Sequence, residues 1–137
     1  MNEIANPRWL VWTGRIISGL VVFAFTMSAI MKFVGGEQVD EGMKHLGLPK
    51  SMVIPLGILE LTCAIIYLIP QTSVLGAILL AGYMGGAICT HWRVGDDFVT
   101  QIVLGVLAWL GIYCRDARLR ALIPWRTQRR ALSQDQT

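Results

Sequence analysis

The run LGILELTCAIIYLIP, residues 56–70, is apolar at almost every position, yet it carries a carboxylate at Glu60. An acid is costly in hydrocarbon, so one kept there faces a bundle interior or a cavity and needs a partner. The chemistry open to Glu60 is contact with a ligand, acceptance of a proton, or acid catalysis. The alternative is structural: a hydrogen bond tying its helix to a neighbour. Counting inward from the ends of the apolar segments puts Tyr83 and Trp109 near the same depth. Tyr83 supplies a hydroxyl and Trp109 an apolar wall. Arg15 lies about 10 Å deeper at 1.5 Å of rise per residue, and its long side chain would reach outward to the polar boundary. Glu60 is therefore expected to have a hydroxyl partner, no fixed counter-ion and a neutral carboxyl. Glu60 and Tyr83 are the candidate catalytic groups.

A second polar set falls at one end of the segments: Lys32, Thr90, His91, Asp96, Asp97, Thr100 and Gln101. Together these residues would ring a path from water toward the buried acid, which makes Lys32, His91 and Gln101 candidate ligand contacts. One histidine with two flexible carboxylates is a poor donor set, and no metal site is expected. Cys63, Cys89 and Cys114 contain no C-x-x-C pair, and their depths differ too much for a disulfide. They read as small apolar packing residues.

The elements that must hold these groups are four apolar segments, about residues 10–31, 52–69, 73–90 and 98–114. Their lengths suit helices crossing a bilayer. Hydrophobic residues make up 54% of the 137-residue chain and charged residues only 15%. That is too little polar surface for a water-soluble domain. The expected fold class is all-α: a transmembrane four-helix bundle over residues 1–114, followed by a basic tail over 115–137. Pro70-Gln71-Thr72 forces the second and third segments into antiparallel neighbours, while residues 32–51 form a longer loop with a short amphipathic turn ending at Gly47.

Basic residues set the orientation. Arg8, Arg15, Arg115, Arg118, Arg120, Arg126, Arg129 and Arg130 lie at the end holding both termini, against Lys32, Lys44, Lys50 and Arg93 at the other. Both termini are therefore expected in the cytoplasm. Arg15 interrupts the first apolar run and no small-residue cleavage site follows, so that segment reads as an anchor and not a signal peptide. Trp9, Trp12, Trp92 and Trp125 fall near the boundaries, as an aromatic belt would. The net charge of +3 comes largely from the tail, where anionic headgroups explain it better than nucleic acid.

Within the second segment, Gly57, Glu60, Cys63, Ala64 and Tyr67 recur at helical spacing and form a small, polar inner face. Ile58, Leu61, Ile65 and Leu68 fall elsewhere and suit lipid. The third segment carries the rows Ala77, Ala81, Gly85, Cys89 and Ile78, Gly82, Gly86, Thr90. Gly82 to Gly86 is a GxxxG spacing, as is used in close helix packing, either inside the bundle or in a homodimer. Gly14 and Ser18 repeat that interval in the first segment.

Several short stretches, in order, resemble the DoxX-like family. These are LGLP at 46–49, LGILEL at 56–61, Pro70, MGGAICTHW at 84–92 and GDD at 95–97, with Arg15 in the first half of the first segment and Lys32 at its end. The similarity covers about residues 15–113. The family takes its name from a subunit of a thiosulfate:quinone oxidoreductase, and some members are thought to act as membrane partners in redox or stress-defence assemblies. The resemblance implies a bundle in the cell membrane, a bacterial inner membrane above all, with Glu60, Lys32, Arg15 and His91 as recurring polar positions.

Function is accordingly read as a redox-associated membrane component binding a quinone-like or other apolar small molecule at Glu60. Tyr83, Trp109, Lys32, His91, Arg15 and Gln101 make up the rest of the site. The sequence has no haem-ligand pair, cysteine cluster or dinucleotide fingerprint, so a membrane or peripheral redox partner is required. The alternatives are an intramembrane isomerase or cyclase acting on a lipid-like substrate, a small proton-coupled transporter, and an assembly factor with no site.

Overall fold

A computed structural model describes residues 7–123. The expected features at Trp125, Arg126, Arg129 and Arg130 lie outside the described residues. Four long helices carry the fold: α1 (Arg8–Val34), α3 (Val53–Leu68), α4 (Ser73–Val94) and α5 (Val99–Arg115). Between α1 and α3 lies a two-turn helix, α2 (Glu37–His45), and α6 (Ala117–Leu122) follows α5.

Each boundary has a local cause. Gly35 and Gly36 take φ of 71° and 117°, so two successive positions in a region open to glycine end α1 and redirect the chain. Gly95 closes α4 in the left-handed conformation. Pro70 opens a single 3-10 turn, Pro70–Thr72, where its missing N–H costs nothing. The Thr72 hydroxyl donates to the Ile66 carbonyl at 2.8 Å, satisfying an acceptor at the end of α3. Asp97 accepts the Val99 N–H at the start of α5, and Arg120 donates to the Tyr113 and Cys114 carbonyls at its end.

The helices form a square. α1 packs on α3 and α5, and α4 packs on the same two. The close approaches lie at the end holding the termini, where helices meet backbone to backbone. A Cβ at Gly14 would stand 2.7 Å from the Gly111 carbonyl oxygen, and one at Gly76 would overlap the Tyr67 backbone. Between them Tyr67, wholly buried, donates its hydroxyl to the Ala108 carbonyl at 2.8 Å and sits 3.0 Å from the Ser18 hydroxyl, which donates to it. One phenol thus ties α1, α3 and α5 together.

Gly57, Glu60, Cys63, Ala64 and Tyr67 are all buried on α3, while Ile58, Ile65 and Leu68 are exposed. The GxxxG pair behaves otherwise. Among the described residues, no atom of a neighbouring helix lies within 4 Å of a Cβ built at Gly82, Gly85 or Gly86. The small-residue contacts of α4 are made lower down, at Gly76 and Ala77.

Some boundaries differ from the sequence-based expectation, with α4 running on to Val94. α1 runs on to Val34, which keeps Lys32 inside the helix. α2 is a true helix, because Met43 and the adjoining Leu46 and Leu48 find apolar surface to cover. The outward faces are apolar, with Ile16, Leu20, Phe23, Met27 and Ile30 exposed along α1. Among the described residues, Arg8–Val34, Lys50–Leu68 and Pro70–Val94 are long and apolar enough to cross a membrane, and Val99–Arg115 is a shorter apolar helix.

Candidate functional site

Glu60 lies on the inner face of α3, seven residues from the helix start, or about 10 Å along the axis. Its side chain is 4% exposed and its Oε2 accepts a hydrogen bond from Lys32 Nζ at 2.7 Å. Lys32 also donates to the Ser28 hydroxyl, one turn earlier on α1, at 2.7 Å. The expectation of an acid without a fixed counter-ion is thereby overturned: Glu60 has one, and it is Lys32. The reason is geometric. Lys32 sits within the extended α1, and its four-carbon stem reaches down into the bundle where Gly57 leaves room. The Lys32 and Phe33 side chains both stand against Gly57, at about 3 Å from where a Cβ would be.

Around this pair is a cavity of about 580 Å³. Ser28 and Lys32 of α1, Glu60 and Cys63 of α3, Tyr83 and His91 of α4 and Gln101 of α5 give it polar or polarisable points, and the rest of the wall is largely leucine, methionine and alanine. The Tyr83 hydroxyl faces the Glu60 carboxyl, and the Tyr83 ring meets Phe25 edge-on at 6.2 Å.

His91 and Gln101 form the second polar unit. His91 Nδ1 donates to the Ala87 carbonyl at 2.8 Å. Its Nε2 is then left as an acceptor for the Gln101 amide N–H at 3.2 Å. Gln101 Oε1 is buried and without a partner among the described residues.

The other expected members go elsewhere. Arg15 is exposed on α1, with its guanidinium 5.5 Å from the Trp12 ring, far down the helix from Lys32. Trp109 lines a separate apolar groove between α4 and α5, with Ala81, Gly85 and Tyr113. At the α2 end Asp96 is turned to His45, Nε2 to carboxylate at 2.9 Å, and Asp97 caps α5, so neither joins His91. The three cysteines are free, with Cys63 and Cys114 buried and Cys89 exposed. Ser28 escaped the sequence reading. Its signal was its place four residues before Lys32, one turn away on the same helix face.

Residues 16–111 match the profile of the DoxX-like family. No curated protein and no solved structure matches the chain. The match covers most of the sequence, and the chain belongs to the DoxX-like family. With its long apolar helices it is an integral membrane protein.

Proposed function

We propose that this DoxX-like protein binds an apolar small molecule, quinone-like in size and polarity, in the Glu60 cavity, and serves as the membrane component of a redox system. The supporting observation is the cavity itself. Its volume of about 580 Å³ falls in the usual range for small-molecule sites, and its wall is apolar with a few fixed polar groups.

Lys32 and Tyr83 offer donors to a carbonyl or hydroxyl on such a ligand, and Ser28 holds Lys32 in place. The redox assignment rests on family kinship, and a partner protein would carry the electrons. A carboxylate already paired with Lys32 is poorly suited to protonate an alkene or epoxide, which disfavours the acid-catalyst alternative. In this reading all four long helices cross the bilayer of a bacterial inner membrane, with both termini cytoplasmic.

The test is native mass spectrometry of wild type and Glu60→Gln purified from their own membrane. Wild type should carry an apolar adduct that the variant lacks, with a mass that identifies it. Identical spectra without adduct would refute the ligand-binding reading.

A further inference from the structure

The Glu60 cavity has two sides from which a ligand could come. Toward water it is partly covered. Met43 of α2 is buried, it lines the cavity with Leu46 and Leu48, and this roof is anchored by Arg93 donating to the Leu46 carbonyl and by the His45–Asp96 pair. Toward the bilayer it is not. Apart from Met52 and Thr100 at the α2 end, the exposed residues of the lining are Leu59, Leu79, Gly82 and Gly86. All four lie on α3 and α4, well inside their apolar stretches. α3 and α4 touch closely where Gly76 meets Tyr67, but at Gly82 and Gly86 a Cβ would meet nothing within 4 Å. The GxxxG spacing here leaves a gap where a packing motif would fill one.

The charge of the lining is also informative. Its formally charged side chains are Lys32 and Glu60, which neutralise each other at 2.7 Å. A phosphate or carboxylate head would find no net attraction and would have to break that pair. An uncharged hydroxyl, carbonyl or amide could hydrogen-bond to it at much lower desolvation cost.

We propose that the cavity is filled sideways from the bilayer, and that its ligand is a long-tailed lipid with an uncharged polar head. The head lies at Lys32 and Glu60, and the tail leaves between α3 and α4 across Gly82 and Gly86. This rests on the ligand-binding reading and adds to it the route and the ligand class. It explains why an apolar helix keeps two glycines where nothing packs on them, and why α2 can stay closed.

The probe is hexadecanol carrying a mid-chain diazirine, added to the full-length protein in phosphatidylcholine nanodiscs, with cross-links mapped after brief incubation. Wild type should label at Cys63, which is buried in the cavity wall. In Gly82→Leu/Gly86→Leu that labelling should fall to background. Leu59→Trp, at an exposed position on the facing helix, should reduce it as well and guards against misfolding of the first variant. Asp96→Ala, which removes one of the roof's two anchors, should leave it unchanged. Hexadecyl phosphate bearing the same diazirine should label the cavity far less than the alcohol.

Cavity labelling that survives both portal variants, or that rises in Asp96→Ala, would overturn the lateral route while leaving binding intact. Equal labelling by the phosphate would overturn the uncharged head. No labelling of Cys63 or its neighbours in wild type would overturn this proposal and the ligand-binding reading together.

Discussion

Removing Lys32 tests the central contact of the cavity. In Lys32→Met the stem keeps its length and apolar character, while Glu60, 4% exposed, loses its counter-ion. At an effective dielectric constant of about 20, unit charges about 4 Å apart attract by about 4 kcal/mol. Breaking a buried pair from one side costs about 3–5 kcal/mol, because the remaining charge is uncompensated. At about 4 °C per kcal/mol for a chain of this size, the melting temperature should drop by roughly 12–20 °C. Lys32→Met/Glu60→Met removes both charges and fills similar space, and replacing a buried pair in this way is often neutral or stabilising. The double variant should therefore recover to wild type or above, while losing the bound ligand. The assay is thermal unfolding in detergent for wild type, both single variants and the double variant, with the coupling energy taken from the cycle. A single variant within about 2 °C of wild type, or a double variant no more stable than Lys32→Met, would refute the account of Glu60 as a paired, buried acid.

The packing argument predicts opposite outcomes for chemically identical changes. Gly14→Ala forces a methyl against the Gly111 carbonyl oxygen and should cost about 1–3 kcal/mol, whereas Gly82→Ala, with nothing within 4 Å, should be close to neutral by the same unfolding assay. Tyr67→Phe strips the hydroxyl that joins Ser18 to the Ala108 carbonyl. It should cost about 1–3 kcal/mol as buried polar groups lose their partner, and an unchanged melting temperature would argue against that three-helix tie. A fluorescent reporter fused after Thr137 should light up in the cytoplasm, and a periplasmic phosphatase fused there should be inactive; the reverse pair would invert the proposed topology.

The apolar segments, the tight turn at Pro70 and the inner face of α3 were all legible in the sequence. Helix periodicity records which residues of one helix share a side, so Gly57, Glu60, Cys63, Ala64 and Tyr67 could be grouped without knowing their neighbours. Composition likewise forced a membrane setting, since 15% charged residues cannot solvate a domain of this length. What periodicity does not record is the rotation of each helix against the next, or how far a long side chain reaches. Only the tertiary structure decided that Lys32 turns inward to Glu60 while Arg15 turns outward over Trp12. Both are basic residues on one helix, but they lie on different faces of it: Lys32 continues the buried row Val21, Phe25 and Ala29, Arg15 does not, and Gly57 opens space beside Lys32. The glycines show the same limit. Gly14 and Gly82 each belong to a small-residue spacing in the sequence, yet one is pressed on a neighbouring backbone and the other faces an open gap. A missing side chain permits close approach, but whether a helix takes up that space depends on where the other three helices stand.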